Sequence, residues 1–182
     1  MSSLDVPGLD MSSRVRARDI QMAAVADVRR RVLMISGAVD VSGHDVSMSI
    51  NLPEPGRWQV IKSETNLTDQ TWLAMQVTTD ENTHFVDSQE TLILSRQFTR
   101  TFLTPDLSRL TFFDGEVRPG EAVLMAFDIE ATSRKPAYAH ARYVAGDDET
   151  PEQVAANLER VVADGIAQRP MVEMIVPVTV IG

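Results

Sequence analysis

The sequence predicts a mainly β protein, an α+β fold in which an antiparallel β-sandwich or barrel carries one C-terminal helix and an N-terminal arm or helix. Three observations predict it. Apolar and polar residues alternate with a period of two over 46–50, 58–60 and 123–129, which places the apolar ones on one face of a sheet. Short turns such as PEPG at 53–56 separate these stretches and favour antiparallel pairing. One well-capped helix is predicted near the C-terminus.

Residues 1–31 are predicted to form an arm with a possible helix, and residues 32–182 a β-rich domain. Within 15–33, four apolar residues recur every fourth position: Ile20, Ala24, Val28 and Val32. This spacing predicts one stripe of a helix that ends near Arg30, before a first strand. Farther along, Asp114-Gly115 predicts a two-residue hairpin turn.

The C-terminal helix is predicted from its end signals. Thr150 is a suitable N-cap, Pro151 fits the first helical position, and Gln153 completes a capping box. Gly165 is suited to end the helix. The closing strand contains Pro177, which predicts a sheet edge or a bulge because proline cannot donate to the strand ladder.

Composition narrows the function. The chain has 43% hydrophobic and 24% charged residues, as expected of a folded domain. It has no cysteine, which excludes disulfides, thiolate catalysis and cysteine-ligated metal. No apolar run approaches the roughly 20 residues that span a bilayer, so no membrane association is expected.

Charge is unevenly distributed. Residues 1–31 hold six arginines against four aspartates, a balance of +2, and the other residues hold 11 basic and 22 acidic groups, a balance of −11. The acidic body argues against direct nucleic-acid binding. The basic segment suggests an assembly interface that docks on an acidic neighbour. Its members are Arg14, Arg16, Arg18, Arg29, Arg30 and Arg31.

Residues 120–182 have the order strand, strand, helix, strand. Their signature surrounds the helix start: Ala145, Gly146, Asp147, Thr150, Pro151, Val154, Ala155 and Leu158. This segment resembles a module of tailed-bacteriophage structural proteins, including tail and baseplate components. The resemblance implies a virion protein that is assembled in the bacterial host cytoplasm and contacts copies of itself and other virion proteins.

Sites for small ligands are less evident. Trp58 and Trp72 are either core residues or surfaces for sugar stacking, and His140 is either an anion or carbohydrate contact or part of a polar sheet face. Asp128 and Glu130 lie two apart on one predicted strand face, where paired carboxylates can act in hydrolysis or hold a cation. No local histidine pair with metal-ligand spacing occurs, and no cofactor is predicted.

The leading hypothesis is therefore a non-enzymatic structural subunit of a phage-like particle, in the tail, neck or baseplate or as a head decoration. Two alternatives stay open. The first is a binding module for carbohydrate or a cell surface, which requires exposed aromatic residues. The second is an enzyme with a site built from distant residues, which requires Asp128, Glu130 and His140 to converge.

Overall fold

The computed structural model describes residues 20–40, 43–88, 90, 92–167 and 169–182. Two β-sheets face each other across a common core, and one helix packs on the outside of the second sheet. This arrangement confirms the predicted mainly β, sandwich-like α+β fold with a C-terminal helix.

The first sheet, sheet A, has seven strands in the order β13-β1-β2-β4-β10-β6, with β7 also paired to β10. Its strands are β1 (Ile20–Asp27), β2 (Val32–Val39), β4 (Gly56–Asn66), β6 (Thr83–Phe85), β7 (Leu94–Ser95), β10 (Ala122–Ala131) and β13 (Val178–Ile181).

The second sheet, sheet B, has six strands in the order β12-β3-β11-β5-β9-β8. Its strands are β3 (Asp45–Ile50), β5 (Ala74–Thr79), β8 (Phe98–Leu103), β9 (Arg109–Gly115), β11 (Ala137–Tyr143) and β12 (Met171–Val176). The helix, α1 (Pro151–Asp164), joins β11 to β12.

Most strand pairs are antiparallel, and three are parallel: β1 with β13, β2 with β4, and β3 with β12. Two of the parallel pairs, β3 with β12 and β1 with β13, use the strands on either side of Pro177. At this residue the chain leaves β12 at the edge of sheet B and enters β13 at the edge of sheet A. The proline therefore lies between two edge strands, as its missing N–H predicts.

The core lies between the sheets and is filled by the alternate, inward-facing residues of both. Trp58, Leu33 and Met125 come from sheet A, whereas Met48 and Phe112 come from sheet B, and all five are inaccessible to solvent. Large side chains that interdigitate in this way exclude water and supply most of the favourable free energy of folding.

Helix α1 begins and ends where the sequence predicts. The Thr150 side chain accepts a hydrogen bond from the backbone N–H of Gln153, and the Gln153 side chain accepts one from the Thr150 N–H. At the other end, Gly165 has a φ of 96° and donates its N–H to the Val161 carbonyl. Val161 packs against Phe113 and Tyr143 on the outer face of sheet B.

The predicted helix over 15–33 is wrong in its described part, because residues 20–27 form β1 and residues 32–39 form β2. A spacing of four residues suits one side of a helix, but four is also an even number and therefore suits one face of a strand. Met22, Ala24 and Ala26 point inward from β1, with exposures of 5%, 3% and 0%. Residues 20–31 are thus part of sheet A rather than of an arm.

The predicted hairpin at Asp114-Gly115 is also wrong. Asp114 has the positive φ, 58°, that such a turn requires. The strand nevertheless continues, because Gly115 still pairs with Phe98 of β8, and the next strand, β10, belongs to the other sheet.

Candidate functional site

Charged side chains lie in the interior of the sandwich, on strands that otherwise carry its core. We call them the central polar cluster: Lys62, Glu64, Tyr138, His140 and Arg142. Lys62 and Glu64 continue the inward-facing series of β4 that begins with Trp58 and Val60. His140 and Arg142 face them from β11 of the opposite sheet. The two sheets thus each bring charged or polar groups to the same depth.

The contacts within the central polar cluster converge on one carboxylate. The Oε2 atom of Glu64 lies 3.3 Å from Lys62 Nζ and 3.2 Å from His140 Nδ1, and all three side chains are 0% exposed. Lys62 Nζ also lies 5.0 Å from the centre of the Tyr138 ring. Glu64 is therefore the anion that balances the cations of the interior.

Burial sets the protonation of these groups. Burial, followed by the positive charges of Lys62 and Arg142, holds the pKa of His140 well below its ordinary value, so its imidazole is neutral beside Glu64. Burial alone lowers the pKa of Lys62, but Tyr138 and Glu64 outweigh it and the pKa is raised. Burial also raises the pKa of Tyr138. At neutral pH the cluster therefore holds a Lys62–Glu64 ion pair beside a neutral histidine.

A second ion pair joins the cluster to the start of β3. Arg169 lies 3.2 Å from Asp45, and its guanidinium donates to the Arg142 carbonyl. Arg142 in turn donates to the His44 carbonyl and stacks over Trp72, 5.0 Å from the ring centre. These contacts tie β3, β11 and the segment before β12 together.

The cavity found between the described parts of the two sheets is small. This enclosed apolar cavity, lined by residues such as Leu33, Val60 and Phe127, has a volume of about 20 Å³. That is room for about one water molecule. Lys62, Glu64 and His140 are thus enclosed by the packing of the two sheets.

The outer face of sheet A has a different character. Away from the turn between β1 and β2, alternation places thirteen uncharged side chains on the outer side of β1, β2, β4, β7 and β10, and we call them the uncharged face. They are Gln21, Ala23, Val25, Met34, Ser36, Ala38, Ile61, Ser63, Thr65, Leu94, Ala122, Leu124 and Ala126.

The strand register aligns the apolar members of the uncharged face into one row. Val25 pairs with Met34, Met34 with Ile61, Ile61 with Ala126, and Ala126 with Leu94. Paired residues on neighbouring strands point to the same side of a sheet. Met34 is 42% exposed and Leu94 37% exposed, so the row lies open to solvent across five strands.

Charges begin at one border of the uncharged face. Arg57 donates to Asp128 at 2.9 Å, and with Arg30 and Arg31 these residues line a shallow depression of about 350 Å³. Arg31 lies 2.7 Å from Glu54 and stacks over Trp58, 4.4 Å from the ring centre. The border is thus a set of paired ions beside an uncharged sheet.

The predicted assembly arginines divide into two groups. Arg14, Arg16 and Arg18 lie outside the described residues. Arg29 and Arg30 are exposed in the turn between β1 and β2, next to the uncharged face. Arg31 belongs to the same turn, but its guanidinium donates to the carbonyls of residues 55 and 57 and so holds the turn against β4.

The residues predicted to contact a ligand are all buried. Trp58 and Trp72 are 0% and 1% exposed, so they form core, one of the two roles the sequence allows, and have no free ring face for a sugar. His140 is 0% exposed in the central polar cluster, and the alternative of a polar outer face is wrong for it. Asp128 lies on the outer side of sheet A, so it does not converge with His140.

Sequence reasoning missed Lys62, Glu64 and the uncharged face. The alternation of β4 was the signal for Lys62 and Glu64, because they occupy the same alternate, inward-facing positions as Trp58 and Val60. The signal for the uncharged face was the lack of charge at alternate positions of several strands. Neither signal has meaning until the strands are paired.

A family model spans almost the whole of this fold. It matches residues 22–182, from β1 to the end of β13, and is described as "Family of unknown function (DUF6423)". The chain belongs to this family. No curated protein and no solved structure matches it.

Two further features of this DUF6423 chain concern sites that the sequence analysis considered. Within the described ranges, no group of three or more histidine, aspartate or glutamate side chains is placed to hold a metal ion. The helical part of the described chain has neither the length nor the apolar character that a membrane crossing requires.

Proposed function

We propose that this protein is a non-enzymatic structural subunit that assembles with protein through the uncharged face. The observation that carries the proposal is the composition of that face. The charged outward residues of β1, β2, β4 and β10 are Asp27, Arg57, Asp128 and Glu130, which lie together at one end of these strands, so the rest of their outer face carries no charge. Solvated sheet faces carry polar and charged residues, whereas the centres of protein interfaces are depleted of charge.

The distribution of reactive groups favours assembly over catalysis. Glu64 and His140, the acid and imidazole that lie closest together, are enclosed between the sheets. A general acid or base must reach its substrate within hydrogen-bond distance. Asp128, at the border of the uncharged face, is paired with Arg57 at 2.9 Å. A carbohydrate-binding role has no exposed tryptophan in support.

The setting in a phage-like particle is part of the proposal, and its support is the resemblance of residues 120–182 to tail and baseplate modules. These residues form β10, β11, α1, β12 and β13, which is the order of that module with one strand more, because Pro177 separates β12 from β13. We further propose that the arginines before β1 add contacts in the assembled particle, as their charge opposite an acidic body suggests.

The experiment tests assembly in cells that naturally express the chain. Lysate is fractionated on a density gradient, and the chain is followed by mass spectrometry in the wild type, in Met34→Lys and in Leu67→Lys. Leu67 is 50% exposed and lies outside the uncharged face, so it is the matched control. We expect the wild type and Leu67→Lys in particle fractions and Met34→Lys among free proteins. Identical profiles for all three would contradict the proposal.

A further inference from the structure

We infer that the partner at the uncharged face is a second copy of this chain, packed face to face about a two-fold axis. The inference rests on the proposed function and names the partner of the same site. Three features of the described residues carry it: the charge of the chain, the pattern of side-chain size on the face, and the area available.

Charge favours a second copy over a basic partner. The chain has a net charge of −9, so two copies repel wherever their acidic surfaces approach. A basic partner would be attracted to acidic surface such as Asp147, Asp148 and Glu152 near the start of α1, all of which are exposed. The uncharged face is where two acidic molecules can meet without placing like charges opposite each other.

The sizes of the side chains are self-complementary. On each of the four central strands, one outward residue is large and the one two positions away is small. The pairs are Val25 with Ala23, Met34 with Ser36, Ile61 with Ser63, and Leu124 with Ala126. On β1, β2 and β4 the large residue belongs to the row that contains Met34, and on β10 it belongs to the neighbouring row.

A two-fold axis between these two rows, parallel to them, places each large residue over a small one. Rotation about this axis exchanges the rows and keeps each strand opposite its own copy. Met34 then lies over Ser36 of the partner subunit, and Ile61 lies over Ser63 of the partner subunit. On β10 the order of sizes is reversed, and the same operation sets Leu124 over Ala126 of the partner subunit. One operation thus satisfies all four strands, as a two-fold interface requires.

The available area suits a dimer of modest affinity. Five strands at about 4.8 Å spacing and three residue rows at about 6.7 Å give a footprint of about 480 Å² on each copy. Two copies would therefore bury about 960 Å², which is at the lower limit of roughly 1,000 Å² for a specific interface and suits a weak, reversible contact. Sheets that stack face to face lie about 10 Å apart. We expect a dimer that dissociates on dilution.

The first experiment measures the mass of the purified full chain by sedimentation and light scattering over a concentration series. Wild type and Leu67→Lys should both dimerise, and Met34→Lys should weaken the dimer by about tenfold or more because its ammonium is buried in the contact. Circular dichroism establishes that each variant is folded. A wild type that stays monomeric throughout would overturn the inference.

The second experiment tests the geometry by charge pairing. Met34→Lys and Ser36→Glu should each dimerise poorly alone, but an equal mixture should form a mixed dimer, because the introduced lysine of one copy faces the introduced glutamate of the other. A matched mixture of Met34→Lys with Thr101→Glu, an exposed position on β8 of sheet B, should form none. Failure of the first mixture to exceed this control would overturn the two-fold arrangement.

Short bismaleimide crosslinking provides a direct readout, since the chain has no native cysteine. A mixture of Met34→Cys and Ser36→Cys chains should crosslink between copies more than either chain alone, and Thr101→Cys should not crosslink. The two proposals fail separately. Loss of Met34→Lys from particles together with a monomeric purified wild type would remove the second copy as partner and leave the assembly function standing. Unchanged particle profiles would contradict assembly itself.

Discussion

His140 Nδ1 lies 3.2 Å from Glu64 Oε2, with both side chains fully buried between opposite sheets. The two residues come from β11 and β4, so this contact joins the sheets at their centre. Its character depends on the neutral state of the imidazole, since Lys62 and Arg142 already supply positive charge there. A proton added to His140 would place a third cation beside a single glutamate.

We predict that the folded state loses stability as the pH falls below the ordinary histidine pKa of 6.5. The folded-state pKa of His140 is depressed, so the unfolded chain binds the proton first. The stabilisation is complete above that pH and is lost as the pH falls toward the folded-state pKa. One such group changes the free energy of unfolding by at most about 1.4 kcal/mol per pH unit. Urea denaturation from pH 7.5 to 5.5 measures it.

The matched variants are His140→Gln and His84→Gln. His84 is exposed on β6, so its replacement controls for the loss of a histidine outside the central polar cluster. His140→Gln removes the titrating group and should flatten the curve. Asp45 has the opposite effect on the free energy of unfolding, at lower pH. Burial raises the pKa of its carboxyl, so the folded state binds that proton before the unfolded chain does. A decline in His140→Gln as steep as in wild type would refute the assignment to His140.

The Lys62–Glu64 ion pair gives a second prediction. Lys62→Met should lower the free energy of unfolding by about 3–5 kcal/mol, since it leaves the buried Glu64 carboxylate without its lysine partner. The double variant with Glu64→Met should lose less than the sum of the two single variants, because it removes both charges. Urea denaturation of the four proteins gives this coupling energy as a double-mutant cycle.

The surface pair Arg118–Glu116 is the control for that experiment. Its groups are also two residues apart and lie 2.7 Å from each other, but their side chains are 67% and 43% exposed. Water screens such a pair, so Arg118→Met should change the stability little. An equal loss in Arg118→Met and Lys62→Met would show that burial has no part in the effect.

The cap of α1 gives a third prediction. Thr150→Ala removes the hydroxyl that accepts the Gln153 N–H and should cost about 1 kcal/mol in the free energy of unfolding. Glu152→Ala, which alters the same turn without removing a cap bond, is the comparison. If α1 frays, Tyr143 beneath it becomes more exposed. Hydrogen exchange at residues 154–158 should therefore quicken in Thr150→Ala only, and an unchanged rate would count against the cap.

Local signals explain which parts of the fold could be predicted. The start and end of α1 depend on residues within one turn, so Thr150, Gln153 and Gly165 were sufficient. The class of fold followed from alternation, which each strand carries by itself. By contrast, β1 was misassigned because its spacing of four residues suits both a strand and a helix. Its pairing with β2 and β13 distinguishes the two.

The candidate sites depend on long-range pairing and were therefore less predictable. His140 meets Glu64 across 76 positions of chain, and the row of the uncharged face joins β1, β2, β4, β10 and β7. No local pattern specifies that β2 and β4 run parallel to each other. The charges of Lys62 and Glu64 also conceal their inward orientation, since such residues are seldom fully buried.

The last prediction concerns truncation before and after β1. Removal of residues 1–19 leaves the described strands of sheet A intact, so we expect this variant to fold and unfold cooperatively. Removal of residues 1–31 also removes β1, which pairs with β2 on one side and β13 on the other. It would expose Leu33 and Ile35 and leave β13 without a partner. We expect the longer truncation to aggregate or to lose its thermal transition by circular dichroism.

This comparison separates an assembly role of the N-terminal arginines from a folding role of β1. Removal of residues 1–19 deletes Arg14, Arg16 and Arg18 and keeps the described strands of the sheet, so a loss of assembly in that folded variant reports on the deleted segment. A variant with the three arginines replaced by glutamine in the full chain provides the control for length. A folded 32–182 fragment with the wild-type transition temperature would contradict the place of β1 in the core, because Met22, Ala24 and Ala26 would then be dispensable.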